Sequence, residues 1–177
     1  MEEKTVSSKL IYNGKKLRLR VDQVEASFGK SEREIIEHPP AVTILPFDSA
    51  DSIYLIHQYR KAIDQIIIEA PAGCIEPNED PYDAAIRELK EETGFTSNKL
   101  IKVAEMFMAP GFCNEFMTLF LATDLTSGKT SFDFDESMEL KSYSLKDLKQ
   151  MIRSYEIKDA KTIASIGFLS NYLTDEL

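Results

Sequence analysis

Four glutamates and one arginine stand close together in this chain: Glu79, Glu88, Glu91 and Glu92, with Arg87 among them. They belong to the stretch GCIEPNEDPYDAAIRELKEETGF, residues 73–95, in which Gly73, Glu79, Arg87, Glu88, Glu91, Glu92 and Gly94 take the spacing G-x5-E-x7-R-E-L-x-E-E-x-G-F. The seven named residues alone, in register, arise by chance on the order of once in 10^8 starting points. Carboxylates at i,i+3 and i,i+4 repel by about 0.2–0.5 kcal/mol per pair, a cost that an exposed helix tolerates. A solvated acidic face would account for Glu88, Glu91 and Glu92 alone. It leaves the glycine before the loop, the glutamate within it and the arginine on the helix without a purpose. A divalent cation gives the acids a purpose, because hard cations take carboxylate oxygens and turn the repulsion into coordination.

These side chains need a loop followed by a helix. Asp80 suits the N-cap, Pro81 the first helical position and Asp83 the first turn, while Gly94 is placed to end the helix in a left-handed conformation. At about 100° per residue, Tyr82, Ala85, Ile86, Leu89 and Thr93 share one side, which is assigned to the core. Glu88, Glu91 and Glu92 fall on a neighbouring side with only the small Ala84 above them.

The stretch resembles the box of the Nudix hydrolases at every fixed position. That resemblance implies a strand–loop–helix unit that binds Mg2+ or Mn2+ and hydrolyses a diphosphate linked to another moiety. It implies that Glu88, Glu91 and Glu92 are metal-binding and catalytic carboxylates. Arg87 and Glu79 become a pair that orients the loop against the helix, and the Ala72 carbonyl a further metal contact.

Composition sets the outer bounds. The 177 residues fit one domain, or a main domain with a small appendage, and allow a sizeable core. No apolar run approaches the ~20 residues needed to span a membrane. The polar, acid-containing start MEEKTVSSK predicts neither a secretory nor a transit segment. Cys74 and Cys113 are too few for a disulfide scaffold and read as thiols in a reducing cytoplasm. A net charge of −9 argues against a nucleic-acid surface. With only His38 and His57, a histidine-rich zinc centre is unavailable, and His57 reads as a packed or surface imidazole in an apolar strand.

Along the chain, residues 5–37 read as an antiparallel meander, with Leu17, Leu19 and Val21 alternating with Arg18, Arg20 and Asp22 and with turns at Asn13-Gly14 and Phe28-Gly29-Lys30. The apolar runs at 41–47, 52–60 and 65–70 read as strands, as do 100–110 and 115–125 on either side of a Pro110-Gly111 turn. Residues 127–137 form a polar loop. A last strand at 138–145 runs into a helix capped by Ser144, and a final helix covers roughly 159–173. The expected fold is α/β, a mixed β-sheet sandwiched between helices with an N-terminal antiparallel β meander. The expected division is 1–38 for the meander and 39–177 for the Nudix hydrolase domain. The meander has too few apolar residues to bury itself, and the resemblance implies that it forms a homodimer.

Features outside the box resemble the ADP-ribose and nucleoside-diphosphate-sugar pyrophosphatase branch: EAPAGCIE (69–76), Gln58-Tyr59-Arg60, PGFCNE (110–115) with Pro110 fifteen residues past Phe95, Arg33-Glu34 and IKDAKT (157–162). That resemblance implies hydrolysis of ADP-ribose to AMP and ribose 5-phosphate. The alternatives are a GDP-mannose or ADP-glucose pyrophosphatase, and a Nudix-fold sensor that binds ADP-ribose without cleaving it. Arg60 is either a phosphate contact, for which a guanidinium is apt, or a strand-end arginine in solvent. Arg33 and Glu34 either contact base or ribose, in related dimers across to the partner's site, or form the charged side of a strand. Glu69 and Glu115 would line the substrate pocket, and Phe112 would stack on a base or pack in its turn. In the acidic stretch Asp133, Asp135, Glu136 and Glu139, the resemblance makes Glu136 a metal ligand or water activator. Several relatives carry a second glutamate where this chain has Phe134, so the general base stays open among Asp133, Asp135, Glu136 and Glu91.

Overall fold

The structure is a computed structural model that describes residues 2–128 and 138–174. The chain divides into two compact units, Met1–Pro40 with Met106–Met117, and Ala41–Glu105 with Thr118–Leu177.

In the first unit, β1 (Lys4–Asn13), β2 (Arg18–Ala26) and β3 (Gly29–Glu37) form an antiparallel meander in the order β1-β2-β3. Lys4 pairs with Glu25 and Arg18 with Glu37, so the two hairpins share β2. All ten residues of β1 are exposed, whereas β2 buries Asp22 and Val24. The segment around Pro110-Gly111 lies against β3. Ile36 donates to the Phe112 carbonyl at 2.7 Å, Asn114 donates to the Ile36 carbonyl at 3.1 Å, and His38 N–H donates to Asn114 Oδ1 at 2.8 Å.

The second unit carries the core. Its strands are β4 (Ala41–Ser49), β5 (Ser52–Arg60), β6 (Gln65–Glu69), β7 (Ala72–Cys74), β8 (Phe95–Phe107), β9 (Phe116–Ser127) and β10 (Met138–Tyr143). Among the described residues they form one mixed sheet in the order β10-β5-β4-β9-β8, with β6 on β5 and β7 on β4. Ala41–Phe47 is buried without interruption, the mark of a strand covered on both faces. The helices are α1 (Pro81–Thr93), α2 (Leu145–Arg153) and α3 (Ala160–Leu173). Val42 and Ile44 of β4, Phe120 and Ala122 of β9, and Ala84, Ala85 and Leu89 of α1 make one apolar cluster. α3 packs on β4 and β6 and against α2. The expected α/β architecture with its meander is what the chain adopts.

Two local expectations change. The strand expected from 100 begins at Phe95, because Gly94 turns the chain sharply at φ 74°. The turn-like composition of Thr96-Ser97-Asn98 hides the pairing there, where Ser97 Oγ donates to the Thr123 carbonyl at 2.6 Å. The second change concerns the inward side of α1. Tyr82 and Ile86, assigned to the core, are 45% and 46% exposed, while Ala84, Ala85, Glu88, Leu89, Glu92 and Thr93 are buried. The small Ala84 lets the helix approach the sheet on that side, and two carboxylates go inward with it.

Candidate active site

The site is assembled from β7, the loop after it and α1, all in the second unit. β7 lies antiparallel to β4, with Thr43 opposite Ala72 and Val42 opposite Gly73. Just before it, the Pro71 carbonyl accepts from the Ile44 N–H at 2.8 Å and from Thr43 Oγ1 at 3.1 Å. α1 starts where Asp80 accepts from the Tyr82 N–H at 2.8 Å and ends where the Gly94 N–H donates to the Lys90 carbonyl at 2.9 Å. These caps are the expected ones, and they set the height at which the glutamates face β7.

Arg87 is the hub. Its Nε and Nη2 each donate to Glu79 at 2.9 Å, Nη2 also reaches the Cys74 carbonyl at 3.0 Å, and Nη1 donates to Glu88 at 2.6 Å and Glu91 at 3.1 Å. One guanidinium therefore ties the loop, the end of β7 and the helix together, which a lysine could not do with its point charge. Arg87 in turn holds the Glu79 carboxyl below the usual carboxylate range, against the opposing effect of burial. Glu79 also accepts from the Glu76 N–H at 2.8 Å, which closes the loop.

Glu92 accepts from the Ala72 N–H at 3.0 Å, so the helix is latched to β7 directly. The side chain of Glu88 occupies the space over Gly73: a Cβ at that glycine would lie 2.0 Å from Glu88 Oε1. Glu88 and Glu92 are 9% and 4% exposed, and Glu91 is more open. Among the described residues no three His, Cys, Asp or Glu side chains converge as a finished metal cage. The carboxylates instead share Arg87 and a backbone N–H. Three carboxylates bond one guanidinium here, and a fourth, Glu92 of the same helix, bonds β7; the set is made only of oxygen donors, and two of the four are withdrawn from water. That donor set fits a hard divalent cation, and the charge excess supplies the attraction.

The NUDIX domain model matches residues 37–166, most of the chain. The chain belongs to the Nudix family. It is 40% identical over 172 residues to the ADP-ribose pyrophosphatase of Bacillus subtilis (strain 168), covering 96% of this chain and 93% of that protein. It is 36% identical over 171 residues to the methanol dehydrogenase activator of Bacillus methanolicus, covering 95% and 92%. A solved structure titled "Crystal structure of ADP compounds hydrolase" superposes with a TM-score of 0.88 at 23% identity, covering 99% of this chain and 96% of that one, and so shares the fold. Nudix hydrolases use divalent metals, in keeping with the oxygen donors above.

Arg60, expected as a phosphate contact or a strand-end arginine in solvent, has a partner. Its Nε and Nη2 donate to Glu69 at 2.6 and 2.8 Å in a bidentate pair. Glu69 itself is 1% exposed and also takes Lys161 of α3. What this pair presents at the surface is therefore the guanidinium, 42% exposed, and not the carboxylate. Glu69 raises the Arg60 pKa, with Glu92 and Asp159 adding to it. Lys161 carried no expectation of its own. Its signal was the run Lys161, Thr162, Ser165, Ile166 and Leu169, a helical stripe that is buried throughout.

Four further candidates, Arg33, Glu34, Phe112 and Glu115, sit in the first unit. Arg33 pairs with Glu3, donates to Ser31 Oγ at 3.0 Å and lies 5.9 Å from the centre of the Phe28 ring; Glu34 is exposed beside it. Phe112 is 56% exposed with its backbone held by Ala109 and Ile36, so its ring is not packed in the turn. Glu115 lies 3.8 Å from His38 Nδ1. Asp133, Phe134, Asp135 and Glu136 lie outside the described residues. His57, read as a packed or surface imidazole, is half-buried and bonded to the Tyr143 hydroxyl at 2.6 Å. Burial, then Lys141, lowers its pKa. Among the described residues, no helix is long and apolar enough to cross a membrane.

Proposed function

We propose that this Nudix protein hydrolyses the diphosphate bond of ADP-ribose to AMP and ribose 5-phosphate, with Mg2+ as its cation and Mn2+ as a substitute. The observation that carries the chemistry is the buried Glu88–Glu92 pair latched against β7 within an excess of carboxylate. The substrate rests on the near full-length similarity to an ADP-ribose pyrophosphatase. Ala72, Glu88, Glu91, Glu92 and Glu136 are the residues that would hold the metal. When bound, the cation neutralises phosphate charge and acidifies water.

The chain's own groups do the rest. Arg87 holds Glu88 and Glu91 apart from one another's charge and keeps the loop closed. The Ala72 N–H fixes the carboxylate of Glu92. Arg60 offers a guanidinium edge to a diphosphate oxygen, the geometry that suits phosphate best. A carboxylate accepts the proton of the attacking water, with Glu91, Glu136, Asp133 and Asp135 as the candidates. Glu69 acts on the substrate through Arg60, and Arg33, Glu34, Phe112 and Glu115 are the further substrate-binding candidates that the family resemblance gives.

A product assay with Mg2+ across ADP-ribose, nucleoside-diphosphate sugars, dinucleoside polyphosphates and deoxynucleoside triphosphates tests the reading. AMP release with the highest kcat/KM on ADP-ribose is the expected result. A preference for GDP-mannose or ADP-glucose would install the sugar-nucleotide alternative, and binding without turnover would make the protein a sensor. Running the assay in 18O-water identifies the phosphorus attacked.

The same reading makes residues 1–38 a dimerisation element of a cytoplasmic homodimer. Its support is the exposure of β1 along its whole length, with Val6, Leu10, Ile11 and Tyr12 each at least half uncovered. Sedimentation at micromolar protein should give twice the 20.1 kDa chain mass, and a monomer would remove this part of the proposal.

A further inference from the structure

The segment Glu69–Ala72 connects Arg60's partner to the strand that latches Glu92, and the first turn of α3 holds it. Ala70 N–H donates to Thr162 Oγ1 at 2.7 Å, and Thr162 is in turn bonded to the N-cap Asp159 through both its N–H, at 3.0 Å, and its hydroxyl, at 2.6 Å. Lys161, 7% exposed, reaches Glu69 Oε2 and lies 3.0 Å from Asp159 Oδ2. Glu69 Oε2 is the same oxygen that takes Arg60 Nη2.

The strand register shows why this matters. Glu69 sits opposite Ile56, whereas Arg60 sits opposite Gln65 at the far end of the β5–β6 ladder. Arg60 and Ile56 share a face of β5, four residues apart. To reach Glu69, the arginine must lie back along the sheet instead of extending into solvent. Two bonds from one carboxylate hold it in that posture, and the carboxylate is buried. An isolated buried carboxylate is costly, so it needs more than one partner to stay where it is. Burial raises the Glu69 carboxyl, and Arg60 and Lys161 more than offset that, so its pKa falls below the usual value.

The geometry points to Lys161 as a positioning residue: it anchors the shared Glu69 carboxylate and so fixes the Arg60 guanidinium for a diphosphate oxygen of the substrate. This rests on the reading of Arg60 as a phosphate contact. Lys161 does not itself meet the substrate; it supplies the second cation that keeps Glu69 seated beneath Arg60. The residue belongs to IKDAKT, so the spacing of Asp159, Lys161 and Thr162 gives one helical turn three tasks: a cap, an anchor for Glu69 and a bond to the Ala70 backbone.

The test is a double-mutant cycle read as binding. The dissociation constant of an α,β-methylene analogue of ADP-ribose is measured by calorimetry with Mg2+ for the parent, Arg60→Met, Lys161→Met and the double variant. Arg60→Met should weaken binding about tenfold, the scale of one charge-assisted contact. Lys161→Met should weaken it several-fold, the double variant should be no weaker than Arg60→Met alone, and Lys161→Arg should recover part of the loss. In steady state the Lys161→Met loss should fall on KM with kcat little changed. Full additivity, or parent-like binding by a folded Lys161→Met, overturns the positioning role while leaving Arg60 as a contact. Parent-like binding by Arg60→Met overturns the Arg60 assignment and the inference together. Glu69→Gln reads the same coupling if Lys161→Met does not fold, and it too should add nothing to Arg60→Met.

Discussion

Glu92→Gln is expected to lower turnover by about 10^3-fold while the protein stays folded. The substitution keeps the size of the side chain and an oxygen that can accept from the Ala72 N–H, the 3.0 Å bond that joins α1 to β7. What it removes is a charge, from a place 4% exposed where that charge is not diluted by water. The cluster then carries one negative charge fewer while the three carboxylates on Arg87 stay in place, so its pull on a divalent cation weakens. Calorimetric titration with Mn2+ should show that weakening directly, independently of turnover. The metal-free variant should melt close to the parent, because relief of like-charge repulsion offsets the lost attraction between Glu92 and Arg60. Parent-like turnover would remove Glu92 from the site.

Gly73→Ala is the second large effect, and its cause is steric. The added methyl would meet Glu88 at 2.0 Å from Oε1, 2.1 Å from Cδ and 2.4 Å from Oε2, distances that force the carboxylate away. Gly73 is not in the left-handed region, so the backbone itself accepts alanine. The end of a glutamate can swing, so the fold should survive, at a loss of roughly 1–2 kcal/mol for a disturbed, partly buried bond to Arg87. Turnover should nevertheless fall about 10^2-fold, since the displaced group is one of the two buried carboxylates. The decisive comparison is with Glu88→Gln. If Gly73→Ala acts by moving Glu88, the double variant is no worse than Glu88→Gln alone, as kinetics and melting together would show. Additive losses would mean that the glycine serves something other than room for Glu88.

These two effects also mark what could be read in advance. The caps of α1 were legible because Asp80, Pro81 and Gly94 act locally, through bonds to atoms a few residues away. The inward side of the helix was legible only in part. Ala85, Leu89 and Thr93 are buried as expected, but apolarity also placed Tyr82 and Ile86 inside, where Ala84, Glu88 and Glu92 go instead. A carboxylate goes inward when an arginine and a backbone N–H from another strand receive it, and neither partner is visible from helical phase. The same holds for Arg60. Its neighbours along β5 say nothing of Glu69, which reaches it only through the β5–β6 register. Lys161 was hidden for a third reason: a lysine in the first turn of a helix ordinarily points into water, and this one finds a buried anion 92 residues away in sequence. Phe95 shows the limit for strands, since the polar Thr96-Ser97-Asn98 pairs with β9 under a composition that reads as a turn.

β4 carries a cost for the chain before it is folded. Ala41–Leu45, AVTIL, is uncharged and rich in β-branched residues, and the finished sheet shields it on every side. While β5 and β9 are still unpaired, such a segment is the kind that finds a copy of itself in another chain. Pro39-Pro40 before it and Pro46 within the strand remove donors that intermolecular pairing would need, and Asp48 adds a charge at the far end. The sticky length is thereby cut to five residues, short of the six or so from which intermolecular zippers are built. The strand on which β7 and the whole carboxylate cluster are hung is thus also the one most in need of protection against self-association.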